Sequence, residues 1–89
     1  MPVVAFTSAL RRFLPVPTVR TGGVTVAEAL AEIFAGNPPL RGYLLDDQGA
    51  LRRHVAVYVG AAPIADRARQ SDPVAPDEEI HVFQALTGG

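Results

Sequence analysis

One stretch of this chain carries both ends of a helix and the face between them. In Thr25-Val26-Ala27-Glu28 the spacing fits a capping box, in which the Thr25 hydroxyl accepts from the Glu28 N–H and the Glu28 carboxylate reaches back to the Thr25 N–H. Val26, Ala29, Leu30, Ile33 and Phe34 then recur at helical spacing, while Glu28 and Glu32 share another face. Gly36 is placed to end the helix in a left-handed conformation, and Asn37-Pro38-Pro39 prevents its continuation. The spacing predicts one helix over about residues 26–35, with its apolar stripe packed into a core.

The rest of the chain reads as short strands. Val3-Val4-Ala5-Phe6 and Thr18-Val19-Arg20, the latter closed by Thr21-Gly22-Gly23, form a loosely joined hairpin. Between them residues 9–14 give no clear pattern, Pro15-Val16-Pro17 breaks whatever precedes it, and Arg11-Arg12 reads more readily as a solvated tip than as a dock for an acidic partner. Tyr43-Leu44-Leu45-Asp46 is a strand candidate turned by Asp47-Gln48-Gly49; Asp46-Asp47 lacks the other ligands of a calcium loop. Residues 54–59 are the clearest strand, with Val55, Val57 and Val59 toward the helix and His54, Ala56 and Tyr58 away from it. Residues 60–76 form a long connection with a helical turn near 64–68. Pro76-Asp77-Glu78-Glu79 then turns the chain, with proline at its second position, into Ile80-His81-Val82-Phe83-Gln84-Ala85-Leu86.

Several strands with one good helix indicate an α+β domain whose mostly antiparallel sheet is covered on one side. If Ile80 and Val82 face the helix, Phe83 and Ala85 lie opposite. The uncovered side then carries His54, Tyr58, His81 and Phe83, an aromatic patch suited to a partner.

Composition closes off many chemistries. The chain has 89 residues and a formal net charge of -1, which suits one domain and gives no electrostatic footprint for nucleic acid or an acidic membrane. With no cysteine there are no disulfides, thiolate metal sites or cysteine nucleophiles. Two histidines on separate strands make no zinc pattern, and neither phosphate-loop motif is present. No metal, resident cofactor or enzyme active site is expected; in any reaction the chain is substrate or carrier. No apolar stretch is long enough to span a bilayer, and residues 1–16 lack a signal-peptide pattern, so a cytoplasmic location is expected. All eight cationic side chains are arginine, so chains linked through its own lysines are impossible.

Thr87-Gly88-Gly89 follows the last strand. Glycines can thread a channel too narrow for a side chain. The carboxylate beyond them is a poor electrophile, but adenylation would turn it into a mixed anhydride open to sulfur or an amine. Three residues past Leu86 reach only ~10 Å, which suits insertion into a pocket.

The order of hairpin, capped helix, strand, long loop and final strand resembles the β-grasp fold of ubiquitin-like proteins. Residues 25–34, Val55-Ala56-Val57-Tyr58-Val59-Gly60, and Asp77-Glu78-Glu79-Ile80 through Phe83-Gln84-Ala85-Leu86-Thr87-Gly88-Gly89 are similar to the small sulfur carriers of the MoaD/ThiS family. The resemblance implies a mixed sheet of four to five strands covered on one face by one main helix, with residues 1–86 as the domain and 87–89 as a tail. It implies that an E1-like enzyme, using ATP, adenylates Gly89, that sulfur transfer leaves a thiocarboxylate there, and that Thr87, Gly88 and Gly89 enter the partner. Phe83 matches an aromatic that packs on partners in this family, and with Tyr58 and Leu86 it forms the expected interface. A sulfur-accepting synthase subunit would be the second partner. Two positions depart from the pattern: Asp77 stands where the family's acidic turn has glycine, and Thr87 where alanine is common. Phe83-Gln84 looks like the thiamin-type carriers, whereas the long segment 36–54 resembles the molybdopterin-type and cysteine-biosynthesis carriers, leaving the product open. Two other readings stand beside the carrier: a protein modifier joined through Gly89 to lysines of other proteins, and a non-catalytic interaction module.

Overall fold

The computed structural model describes residues 2–6 and 18–84. In chain order the elements are β1 (Val3–Phe6), β2 (Thr18–Arg20), α1 (Val26–Gly36), α2 (Pro38–Leu44), β3 (Val55–Val59), β4 (Ala62–Pro63) and β5 (Glu79–Gln84). The five strands make one sheet in the order β2-β1-β5-β3-β4. β5 lies at its centre, parallel to β1 and antiparallel to β3, and the outer pairs β1–β2 and β3–β4 are antiparallel. The expected hairpin thus forms. The parallel β1–β5 contact makes the sheet mixed, as an α+β β-grasp requires.

Alternation along the strands builds the core. Val4 and Phe6 of β1, Val55 and Val57 of β3, and Ile80 and Val82 of β5 are buried in one cluster with Val26, Leu30, Ile33 and Phe34 of α1. Val59 packs against this cluster while remaining partly accessible. The faces assigned from valine alternation and from the helical stripe are the observed ones.

The helix start is also as read, with one change of partner. Thr25 Oγ1 accepts from the Glu28 N–H at 3.2 Å, but the Glu28 carboxylate accepts from the Val24 N–H at 3.0 Å, one residue before the expected Thr25. The two N–H groups preceding Glu28 are held by the distant loop: Val26 donates to the Asp72 carbonyl at 3.0 Å and Ala27 to the Gln70 carbonyl at 2.8 Å. Three otherwise orphaned helix donors are thereby satisfied. Gln70 is buried at φ 53° and its side-chain amide donates to the Gly49 and Arg67 carbonyls, at 3.2 and 2.7 Å.

Three expectations are corrected. Gly36 is helical and not left-handed; α1 stops at Asn37 (φ -145°, ψ 67°), whose N–H donates to the Phe34 carbonyl. Tyr43-Leu44-Leu45-Asp46 is not a strand. Pro38 and Pro39, which stop α1, begin α2, because proline at the first helical positions forfeits only an N–H that has no helical partner. Leu40 and Leu44, four apart, then share the buried side, and strand pairing is limited to a bridge between Leu45 and Leu51. Finally, residues 64–68 hold no helical turn; the hydrogen-bonded turn lies later, with the Gln70 N–H on the Asp66 carbonyl at 2.7 Å.

The two expected turns are present. Asp46 Oδ1 accepts from the Gln48 and Ala50 N–H groups and Gly49 sits at φ 83°, so this carboxylate closes a turn. The Glu78 N–H donates to the Ala75 carbonyl at 3.0 Å, which puts Pro76 second in the turn before β5.

Candidate partner-docking face

The face of the sheet opposite the core is assembled by register. β3 and β5 pair Ala56 with Phe83 and Tyr58 with His81, so Tyr58 and Phe83 are diagonal neighbours on one face. Their rings meet edge to face, centroids 5.6 Å apart and planes at 86°. The His81 ring also stacks on Phe83, at 6.2 Å and 26°, and its Nε2 lies 3.6 Å from Glu79 Oε1. Phe83 remains 42% exposed, although most of its large apolar neighbours in sequence are buried. Ala56, Tyr58, Gly60, His81, Phe83 and Gln84 line an open, largely apolar depression here.

Of the four residues expected on this face, Tyr58, His81 and Phe83 come together. His54 does not: β3 begins at Val55, and the His54 ring instead packs edge-on against Tyr43 of α2, with centroids 5.8 Å apart. Ala56 lies on the face that the alternation of β3 assigns to it, whereas Gly60 and Gln84 were not expected in the lining. The antiparallel register places Ala56 directly opposite Phe83, whereas Gln84 pairs with the core-facing Val55, so its place in the lining has no signal in the register. Gly60 turns the chain into β4 at φ 61° and donates its N–H to the Glu79 carbonyl at 2.8 Å. Gln84 Oε1 is buried without a hydrogen-bond partner among the described residues. Ala85, Leu86, Thr87, Gly88 and Gly89 lie outside the described residues, as do Arg11 and Arg12.

The perturbed carboxylates are elsewhere, in the loop that caps α1. Asp66 is held below its ordinary value of 3.8 by the Ser71 hydroxyl and then the Arg69 N–H. Asp72 is lowered by the N–H groups of Ala65 and Asp66, both at 2.9 Å. These groups tie a loop and do not face the depression. Among the described residues no cluster of three His, Cys, Asp or Glu side chains could hold a metal, and no helix is long and apolar enough to cross a membrane.

No family model and no curated protein matches the chain. Solved structures do. A chain of the Amycolatopsis orientalis BexX/CysO complex superposes with a TM-score of 0.87 at 20% identity, covering 100% of both chains. SAMP1 from Haloferax volcanii gives 0.82 at 23% identity, over 99% of this chain and 98% of that one. CysO from Mycobacterium tuberculosis gives 0.84 at 19%, over 97% and 100%. Likeness over the whole length at such low identity is likeness of fold: the chain has the ubiquitin-like β-grasp fold that its resemblance to the MoaD/ThiS carriers implied.

Proposed function

We propose that this chain is a sulfur carrier of the MoaD/ThiS type, acting through the Gly89 carboxylate and catalysing nothing itself. An E1-like enzyme would use ATP to adenylate Gly89, with pyrophosphate leaving. A sulfide-equivalent nucleophile would then attack the acyl carbon, expelling AMP and leaving a thiocarboxylate. That sulfur is the better nucleophile and would be donated, at a synthase subunit, to small-molecule biosynthesis. ATP belongs to the activating partner, and this chain needs no cofactor of its own.

The observation that carries the reading is the course of β5. It is the central strand, it exposes Phe83 on the face away from the core, and the chain continues from its end toward Thr87-Gly88-Gly89. A partner seated over Tyr58 and Phe83 would therefore hold the strand that leads directly to the glycines. Leu86 would extend the same contact, and Thr87, Gly88 and Gly89 would enter the partner's channel. The resemblance in fold to CysO supports this reading.

The likeness to SAMP1, a small archaeal modifier protein, supports a second reading in which Gly89 is joined to amines of other proteins. Intact-mass analysis after incubation with ATP, E1-like enzymes and a sulfur source separates the two. Replacement of one oxygen by sulfur, lost on deletion of Gly89, supports the carrier; isopeptide adducts on other proteins without any thiocarboxylate support the modifier.

A further inference from the structure

Charge is distributed unevenly along β5. Its first residue, Glu79, follows Asp77 and Glu78, and the strand runs from this acidic turn to Gln84. Gln84 pairs with Val55, the first residue of β3, so the segment just before β3 lies at the end of the sheet toward which β5 runs. That segment is Arg52-Arg53-His54. Arg67 joins it, donating from Nη2 to the Arg52 carbonyl at 2.8 Å, while Arg52 Nε donates to the Gly42 carbonyl at 2.9 Å. Arg53 is exposed and makes no side-chain bond among the described residues.

Among the described residues no carboxylate forms an ion pair with Arg52, Arg53 or Arg67. The only ion pair among the described residues is that of His81 with Glu79. Of the carboxylates in the neighbouring loops, Asp46, Asp66 and Asp72 are turned onto backbone N–H groups, and Asp47 is exposed in the turn before Gly49. Residues 85–89, which follow β5 in sequence, contain no acidic side chain. Three of the six described arginines, Arg52, Arg53 and Arg67, thus lie at the end toward which β5 runs.

We infer that this end of the sheet is a steering rim for an acidic partner, in which Arg52, Arg53 and Arg67 meet carboxylates on the protein that covers the Tyr58–Phe83 depression. The inference rests on the carrier reading and adds the charge of the surface that the activating partner must present. An apolar centre with a charged rim divides the work: the rings supply the buried contact, and the rim raises the rate of correctly oriented encounter. Guanidinium groups suit such a rim because they pair with carboxylates through two parallel hydrogen bonds.

The test uses the full chain and the E1-like enzyme that converts it, following thiocarboxylate formation by intact mass at low and high salt. Arg53→Glu is the informative variant, since Arg53 is exposed and makes no side-chain bond among the described residues. It is expected to lower kcat/KM by about tenfold at low salt, to leave kcat at saturating carrier unchanged, and to converge on the wild type at high salt. Arg20→Glu, on the edge strand at the opposite end, where Val3 pairs with both Arg20 and Glu79, is expected to change little. Equal effects of the two substitutions, or an Arg53→Glu defect independent of salt, would overturn the rim. Product from the wild type with an indifferent Arg53→Glu contradicts the rim alone. No product from the wild type with any such enzyme contradicts the carrier reading, and the rim with it.

Discussion

Tyr58 and Phe83 lie on neighbouring strands with their rings edge to face, 5.6 Å between centroids, on the side of the sheet that the helices leave bare. Phe83 is 42% exposed, so its ring adds little to the core while offering a rigid apolar surface. Phe83→Ala is expected to weaken binding to the activating enzyme by ~2 kcal/mol or more, as a central aromatic anchor does, with thermal stability close to that of the wild type. Unfolding of the variant would show that Phe83 is a core residue. Unchanged binding would show that the partner docks elsewhere.

Gly23 supports the entry to α1 by close approach. A Cβ built there would stand 2.5 Å from the Ala29 nitrogen and 2.8 Å from the Glu28 carbonyl carbon, both backbone atoms that cannot rotate away. Gly23→Ala is therefore expected to destabilise the fold by about 2 kcal/mol, within the range for overpacking. Gly36→Ala is the control: nothing lies within 4 Å of its Cβ position and it is helical, so the exchange should be neutral or stabilising. Chemical denaturation of the two variants tests the contrast.

How far the sequence could be read follows from which contacts are local. The Thr25–Glu28 cap, the stripe from Val26 to Phe34 and the alternation in β3 and β5 depend on neighbours in the chain, and the structure has them. The second helix was hidden because Tyr43-Leu44-Leu45-Asp46 is too short to show a period. Its partner Leu40 lies beyond the prolines, which read as a stop and act as a start. His54 was placed on the aromatic face by extending the β3 alternation one residue too far; Tyr43, eleven positions earlier, holds it instead. The hold of residues 70 and 72 on the start of α1 has no local signature, since it joins backbone carbonyls to N–H groups more than forty residues away. The glycines beyond β5 were read as a chemical handle from the sequence alone, and they lie outside the described residues.

The loop that holds α1 should carry part of the acid sensitivity of the fold. Asp66 and Asp72 are both depressed in the folded state, so each contributes stability that is present above the unfolded carboxylate value and is lost as pH falls through the lower, folded one. Stability is thus expected to drop as pH falls below about 4. In Asp72→Asn that acid-dependent drop should be shallower, and at neutral pH the protein should already be less stable than the wild type. Denaturation midpoints measured from neutral pH down to about pH 3 test this; an unchanged acid slope in the variant would show that the Asp72 bonds to Ala65 and Asp66 do not bear on folding.

The absence of lysine bears on the chemistry proposed for Gly89. Arginine keeps its proton at neutral pH and does not attack an acyl-adenylate, whereas a lysine amine does. From Gln84, five residues reach at most ~18 Å, and Gln84 pairs with Val55, two positions after Arg53. Arg53→Lys, incubated with ATP and the activating enzyme but no sulfur source, is expected to yield a species lighter by one water. In it the new amine has formed a C–N bond to the Gly89 carbonyl carbon, expelling AMP and releasing a proton. Its absence would show that arginine at this position has no bearing on the activated state.

The central claim, that Gly89 is a sulfur-carrying terminus, is tested most directly by the intact mass of the protein after incubation with ATP, an E1-like enzyme and a sulfur source. The expected result is a gain equal to one sulfur replacing one oxygen, confined by fragmentation to Gly89 and abolished by deleting that residue. An unchanged mass across E1-like enzymes that are active on their own carriers would contradict the account.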